Sequence, residues 1–177
     1  QRQPSPEVAP AASHDRFKWL KGVEFLDVLP EPLLSQLADS ARELHVHAGG
    51  VIVSEGDSAS ELYVVISGQV DVMTGGLGES SRRLASLGPG RLFGELGSVA
   101  GTKRTASVLA RVETTLLVID YADFGEVLGK SPALRRRLEV RWEERASERD
   151  RSYQVEPSGA DSALDGALFR RLRELFS

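Results

Sequence analysis

The pattern of apolar and polar positions changes period twice along the chain. Phe17, Leu20 and Phe25 share a helical face that breaks near Gly22. Pro30-Glu31-Pro32 then opens a helix in which Leu33, Leu34, Leu37, Ala38 and Ala41 recur at helical spacing. From residue 44 the period falls to two. Short apolar runs at Val51-Ile52-Val53, at Leu62 to Ile66, at Val70 and Val72, and at Leu84 and Leu87 alternate with turn chemistry. The turns are marked by Gly56-Asp57, Gly68, a hairpin tip at Gly75-Gly76 and Gly78, and Gly88-Pro89-Gly90. Beyond a glycine-rich stretch at 94–101, two more strands are expected over 106–112 and 115–120. Many short strands with regular turn signals predict an all-β jelly roll or barrel.

Helical spacing returns at 121–129. Pro132 starts a longer helix to about Tyr153, with Leu134, Leu138, Trp142 and Ala146 on one stripe. Pro157-Ser158-Gly159 breaks it, and a last amphipathic segment over 164–176 sets Leu168, Phe169, Leu172, Leu175 and Phe176 beside Arg170, Arg171 and Arg173. Three parts are expected. A Pro/Ala-rich leader, disordered, covers 1–14. One domain covers 15–153, with a β-roll at 44–120 and C-terminal helices at 121–153. A linker and amphipathic tail helix cover 154–177.

Composition narrows the chemistry. At 177 residues, 41% hydrophobic and 27% charged, the chain has the make-up of a globular domain with extensions. It contains no cysteine, which excludes a disulfide framework, a thiolate zinc site and a cysteine nucleophile, and fits a reducing, cytoplasmic location. A net charge of -4 gives no electrostatic footprint for nucleic acid or an anionic membrane. No apolar run reaches the ~20 residues of a membrane-spanning helix, so no membrane insertion is expected. The chain opens on Gln1 rather than Met. A piece of a longer protein is the expectation, with the output activity elsewhere.

Candidate chemistry concentrates in residues 93–107, FGELGSVAGTKRTAS. Gly94 lets the backbone approach a ligand with no Cβ between them. Gly97 and Gly101 add turn freedom around about one helical turn, whose N–H groups favour an anion. Arg104 supplies a planar fork of donors matched to two phosphate oxygens. Glu95 is a carboxylate beside an anion site, which makes sense if it accepts hydrogen bonds from ligand hydroxyls. A ribose carrying a cyclic phosphate presents both faces.

This segment resembles the phosphate-binding cassette of the cyclic nucleotide-binding domain family, found in bacterial catabolite activators, kinase regulatory subunits and nucleotide-gated channels. Phe93, Gly94, Glu95, Leu96, Gly101, Arg104, Ala106 and Ser107 carry the match. Ala48-Gly49, Glu55-Gly56-Asp57, Leu62 to Val65, Ser67-Gly68 and Leu87 to Gly90 support it in order. The resemblance implies a mainly β fold, a double-stranded β-helix of eight strands with the cassette inserted late, followed by a hinge helix and a lid helix. It implies a non-catalytic regulatory receptor whose ligand is cAMP or cGMP, cAMP being preferred because the Arg/Ala/Gly usage looks bacterial.

By resemblance, Glu95 would bind the ribose 2′-hydroxyl and Arg104 the exocyclic phosphate oxygens. Backbone amides around Phe93, Gly94, Leu96 and Ala106 would complete the cradle, and Thr105 would meet a purine edge. Val72 and Leu84 would wall the base, and Trp142, Arg141 or Arg145 would close over it. Gly97-Ser98 stand where the family places Ala-Leu. An attached or partner effector domain is expected to receive the signal, with 164–176 as a docking segment, and a homo-oligomer is compatible with the chain.

Blander readings stand beside these. Glu95 and Arg104 would also make a structural ion pair. His45-Val46-His47 has the spacing that starts a cupin metal site, but Val51 and Ile52 stand where the carboxylate is needed, so no metal is expected. The arginines at 135–151 are interleaved with acids and read as a solvated helix face. A scaffold that has lost nucleotide sensing is the alternative. Part of a transcription regulator is a further alternative, with its DNA-binding helix-turn-helix outside this chain, since the residues after Tyr153 do not supply one.

Overall fold

A computed structural model describes residues 13–96 and 103–152. Expectations for the leader before Ser13, for Gly97, Ser98 and Gly101, and for the tail at 164–176 lie outside the described residues.

Helices come first. α1 (Ser13–Lys21) begins two residues inside the segment assigned to the leader. Gly22 follows, and a 3₁₀ turn at Glu24–Leu26 buries Phe25 and Leu26. α2 (Glu31–Ser40) has Pro in its first turn, where the missing N–H has no partner to lose, and it buries Leu34, Leu37 and Ala38.

Eight strands follow among the described residues. One sheet is β1 (Arg42–Val46), β8 (Thr114–Asp120), β3 (Glu61–Ser67) and β6 (Leu92–Phe93), in that spatial order. The other is β2 (Val51–Val53), β7 (Ser107–Ala110), β4 (Val70–Thr74) and β5 (Arg82–Leu87). All pairings are antiparallel. This is the expected mainly β roll with flanking helices.

The continuous apolar runs of β3 and β8 have a plain cause. Leu62, Val64, Leu117 and Ile119 face the helices, whereas Tyr63, Val65, Leu116 and Val118 face the second sheet. Both faces of the first sheet are buried, so period two disappears from hydropathy although it persists in direction. β5 is one of the two edge strands of the second sheet, exposed except at Leu87.

After β8 the chain turns directly into α3 (Tyr121–Lys130), which buries Phe124, Val127 and Leu128. α4 (Pro132–Ser152) starts with Pro at its first position. Leu134 and Leu138 are buried in the helical core, Trp142 is half-buried, and the Ala146 side chain is outside the described set. The helix is otherwise heavily charged. Arginines fasten it: Arg135 Nη1 donates to the carbonyls of Leu128 (3.0 Å) and Gly129 (2.8 Å) at the end of α3. Arg137 reaches the Glu24 carbonyl and the Asp27 carboxylate of the 3₁₀ turn. No helix among the described residues is long and apolar enough to cross a membrane.

Candidate functional site

The cassette starts where β6 leaves the first sheet. Phe93 points into the roll and stacks on Tyr63, ring centroids 5.0 Å apart and planes 13° off parallel. Gly94 follows at φ +85°, in the left-handed region. A Cβ there would lie 3.1 Å from the Glu61 carbonyl oxygen and 2.8 Å from Arg104 Nη1, so a side chain would crowd the strand and push the guanidinium aside, on a backbone already in the left-handed region. Leu96 crosses to the other side and packs on the helical core.

Glu95 lies between these two and is 1% exposed. Its Oε1 is 3.2 Å from Nη1 of Arg141 on α4, whose side chain is 26% exposed. Burial pushes the Glu95 carboxyl above its ordinary value, while Arg141 and, more weakly, Arg145 pull it down. The Arg141 guanidinium also sits 4.8 Å from the Phe25 ring centroid. Thus the Arg141 guanidinium of α4 meets both the buried carboxylate and the 3₁₀ turn.

Arg104 is set in place by the Gly56-Asp57 turn. The Arg104 N–H donates to Asp57 O (2.7 Å) and the Gly56 N–H to Arg104 O (2.8 Å), with Gly56 at φ +88°. The Glu55 N–H donates to Oγ of the buried Ser107 (2.9 Å). The Glu-Gly-Asp block therefore grips the outgoing arm of the cassette from 104 to 107. Glu55 Oε2 also accepts from the N–H groups of Gly75 (3.1 Å) and Gly76 (3.3 Å), fixing the β4–β5 hairpin.

At its far end the Arg104 guanidinium donates from Nη2 to Glu61 O (2.8 Å) and from Nη1 to the Tyr121 hydroxyl (3.3 Å). It lies 5.6 Å from the Tyr63 ring centroid and 6.0 Å from that of Tyr121. The Tyr121 hydroxyl donates to Gly94 O (2.5 Å). Burial raises the Tyr121 phenol, Arg104 lowers it, and Glu95 raises it again, so both charged cassette residues act on this one ring.

The structure thus brings Phe93, Gly94, Glu95 and Arg104 to one corner of the roll. Val72 faces the roll interior against the Tyr63–Phe93 cluster. Ala106 is half-buried and Thr105 exposed. Leu84 is 51% exposed on the edge strand, beside the irregularity that shifts the β4–β5 register between Val72 and Met73. Arg145 is exposed. In the sequence Tyr121 reads as the first residue of the hinge helix and Tyr63 as part of a strand and of the Leu62 to Val65 block, and neither is marked there as a partner of Arg104. Their partnership with Arg104 spans the fold and leaves no periodic trace. His45 Nδ1 pairs with Thr115 Oγ1 (2.9 Å) across β1 and β8, and just beyond the strand ends His47 Nδ1 pairs with the Glu113 carboxylate (3.0 Å). No group of three His, Cys, Asp or Glu among the described residues is placed to hold a metal ion.

Comparison with known proteins agrees with this fold. The sequence model of the cyclic nucleotide-binding domain matches residues 43–131. A cyclic AMP receptor protein of Thermus thermophilus is 33% identical over 126 residues, covering 71% of this chain and 58% of that protein. A cGMP-dependent protein kinase 2 of Mus musculus is 28% identical over 134 residues, covering 75% of this chain and 18% of the kinase. The chain therefore spans less than two thirds of the length of either relative. Among solved structures, the regulatory domain of Toxoplasma gondii PKA with cAMP has the same fold, with a TM-score of 0.66 at 23% identity over 77% of this chain and 50% of that one. The chain belongs to the cyclic nucleotide-binding domain family and is, by that membership, a cyclic nucleotide-binding regulatory domain.

Proposed function

We propose that this domain is a receptor for cAMP in preference to cGMP, and that it passes ligand binding to an effector attached to it or docked on it. One observation carries the reading: Gly94 at positive φ lets the backbone close onto Arg104, with buried Glu95 next in the chain. In this reading the free N–H groups of Arg104 and the backbone amides of the cassette hold the cyclic phosphate. Glu95 accepts the ribose 2′-hydroxyl. Val72 and Leu84 line the base, Thr105 meets its edge, and Trp142 or Arg145 closes over it. The receptor unit is residues 15–153, non-catalytic and cytoplasmic, with 164–176 as the route to the effector.

The proposed mechanism runs through Arg141. Its contact with Glu95 joins α4 to the carboxylate that the ribose also uses. Ligand and α4 therefore compete for the same oxygens, and binding shifts α4 by the difference in their interaction with it. That same contact favours one other reading, a nucleotide-insensitive scaffold in which Arg141 permanently occupies Glu95.

Thermal unfolding separates the two. With cAMP at about 100 times its dissociation constant, a receptor gains about 2.7 kcal/mol and melts higher. cGMP at the same concentration is expected to give a smaller shift. No shift with either nucleotide at millimolar concentration would leave the scaffold standing.

A further inference from the structure

Tyr121 lies outside the cassette sequence, yet it touches both of its arms. We propose that Tyr121 is the positioning residue that holds the Arg104 guanidinium ready for the ligand's phosphate and ties it to the first residue of α3. The inference rests on the reading of Arg104 as the phosphate-binding residue.

An arginine side chain is long, and its head is placed only if something fixes it. Arg104 is fixed at two points, Nη2 on the Glu61 carbonyl and Nη1 on the Tyr121 hydroxyl. A guanidinium carries five N–H donors. Among the described residues two are used, which leaves donors for an anion. The direction of the Tyr121 bond follows from its single proton: the hydroxyl gives that proton to Gly94 O (2.5 Å), so toward Arg104 it can only accept. Tyr121 is itself held, its N–H donating to Ser60 O (2.9 Å) at the start of α3. The phenol thereby links the incoming arm of the cassette at Gly94, the outgoing arm at Arg104, and the helix that leads to α4. Any movement of Arg104 toward a phosphate is felt at α3 through one hydroxyl.

Tyr121→Phe removes the hydroxyl and keeps the ring. The test is isothermal titration of wild type and Tyr121→Phe with cAMP and cGMP, joined to NMR of the Arg104 side-chain nitrogens without ligand. The variant is expected to bind roughly 10-fold more weakly, the low end for one hydrogen bond to a charged group, as suits a bond of 3.3 Å. Rotation of the Arg104 guanidinium, slow in the wild type, is expected to quicken in the variant, a change that general loosening far from Arg104 would not produce. Unchanged affinity in a variant whose Arg104 does move overturns the role in binding. A guanidinium that already rotates freely in the wild type overturns the tie itself, whether or not the variant folds. If the wild type binds neither nucleotide, the receptor reading fails separately, and the tie to α3 stands or falls on the Arg104 rotation alone.

Discussion

Glu95 is buried almost completely, and its ionised form is stabilised mainly by a single guanidinium from another element. Its carboxyl is raised above the ordinary 4.5 because burial outweighs Arg141 and Arg145. The folded chain therefore holds that proton more tightly than the unfolded one. A contribution of this sign is full below the unfolded value and is lost as pH rises through the folded one. Glu95→Gln, uncharged at every pH, is expected to melt higher than the wild type at pH 8. The advantage should shrink toward nothing as pH falls to about 4.5, read by calorimetric melting across pH. A margin that does not change with pH would mean that Glu95 is solvated or better paired than its surroundings indicate. The carboxylate was legible in the sequence as a carboxylate beside an anion site. Arg141 was legible only as one candidate to close over the base, not as the partner of Glu95, because it stands among many arginines on one helix and only packing gives it that contact.

At the scale of elements, α4 is a charged helix held at its start by apolar burial and further along by arginines. Leu134 and Leu138 anchor the first turns, and Arg141 holds the middle against Glu95 and Phe25. Arg141→Met keeps the length and removes the charge. Amide hydrogen exchange beyond residue 141 is then expected to quicken about tenfold, as for loss of roughly 1.4 kcal/mol of local stability, while exchange at 134–138 stays as it was. Uniform exchange along the helix in both proteins would show that Arg141 is not its fastening. The helices were readable from their prolines and their spacing. The sheets were readable from glycines and short apolar runs, although β3 and β8, apolar on both faces, hide which side chain points which way.

At the scale of the molecule, the order of helices, roll and helices follows from the two changes of period, and the sequence blocks announce the cassette. Contacts between distant residues are where the sequence falls silent. Glu55-Gly56-Asp57 was visible as a motif, but its work of clasping 104–107 needs the fold. The placement of Arg104 against Glu61 and Tyr121 likewise depends on strands and helices far apart in the chain. The whole arrangement has meaning as a receptor only if a cyclic nucleotide binds at this corner through Arg104. Isothermal titration of the wild type and Arg104→Ala with cAMP asks that directly. The wild type is expected to bind at a single site, and the variant to lose about 2–5 kcal/mol of binding free energy, as when one partner of a buried charge contact is removed. Equal affinity in the two proteins would place the nucleotide elsewhere and contradict the account.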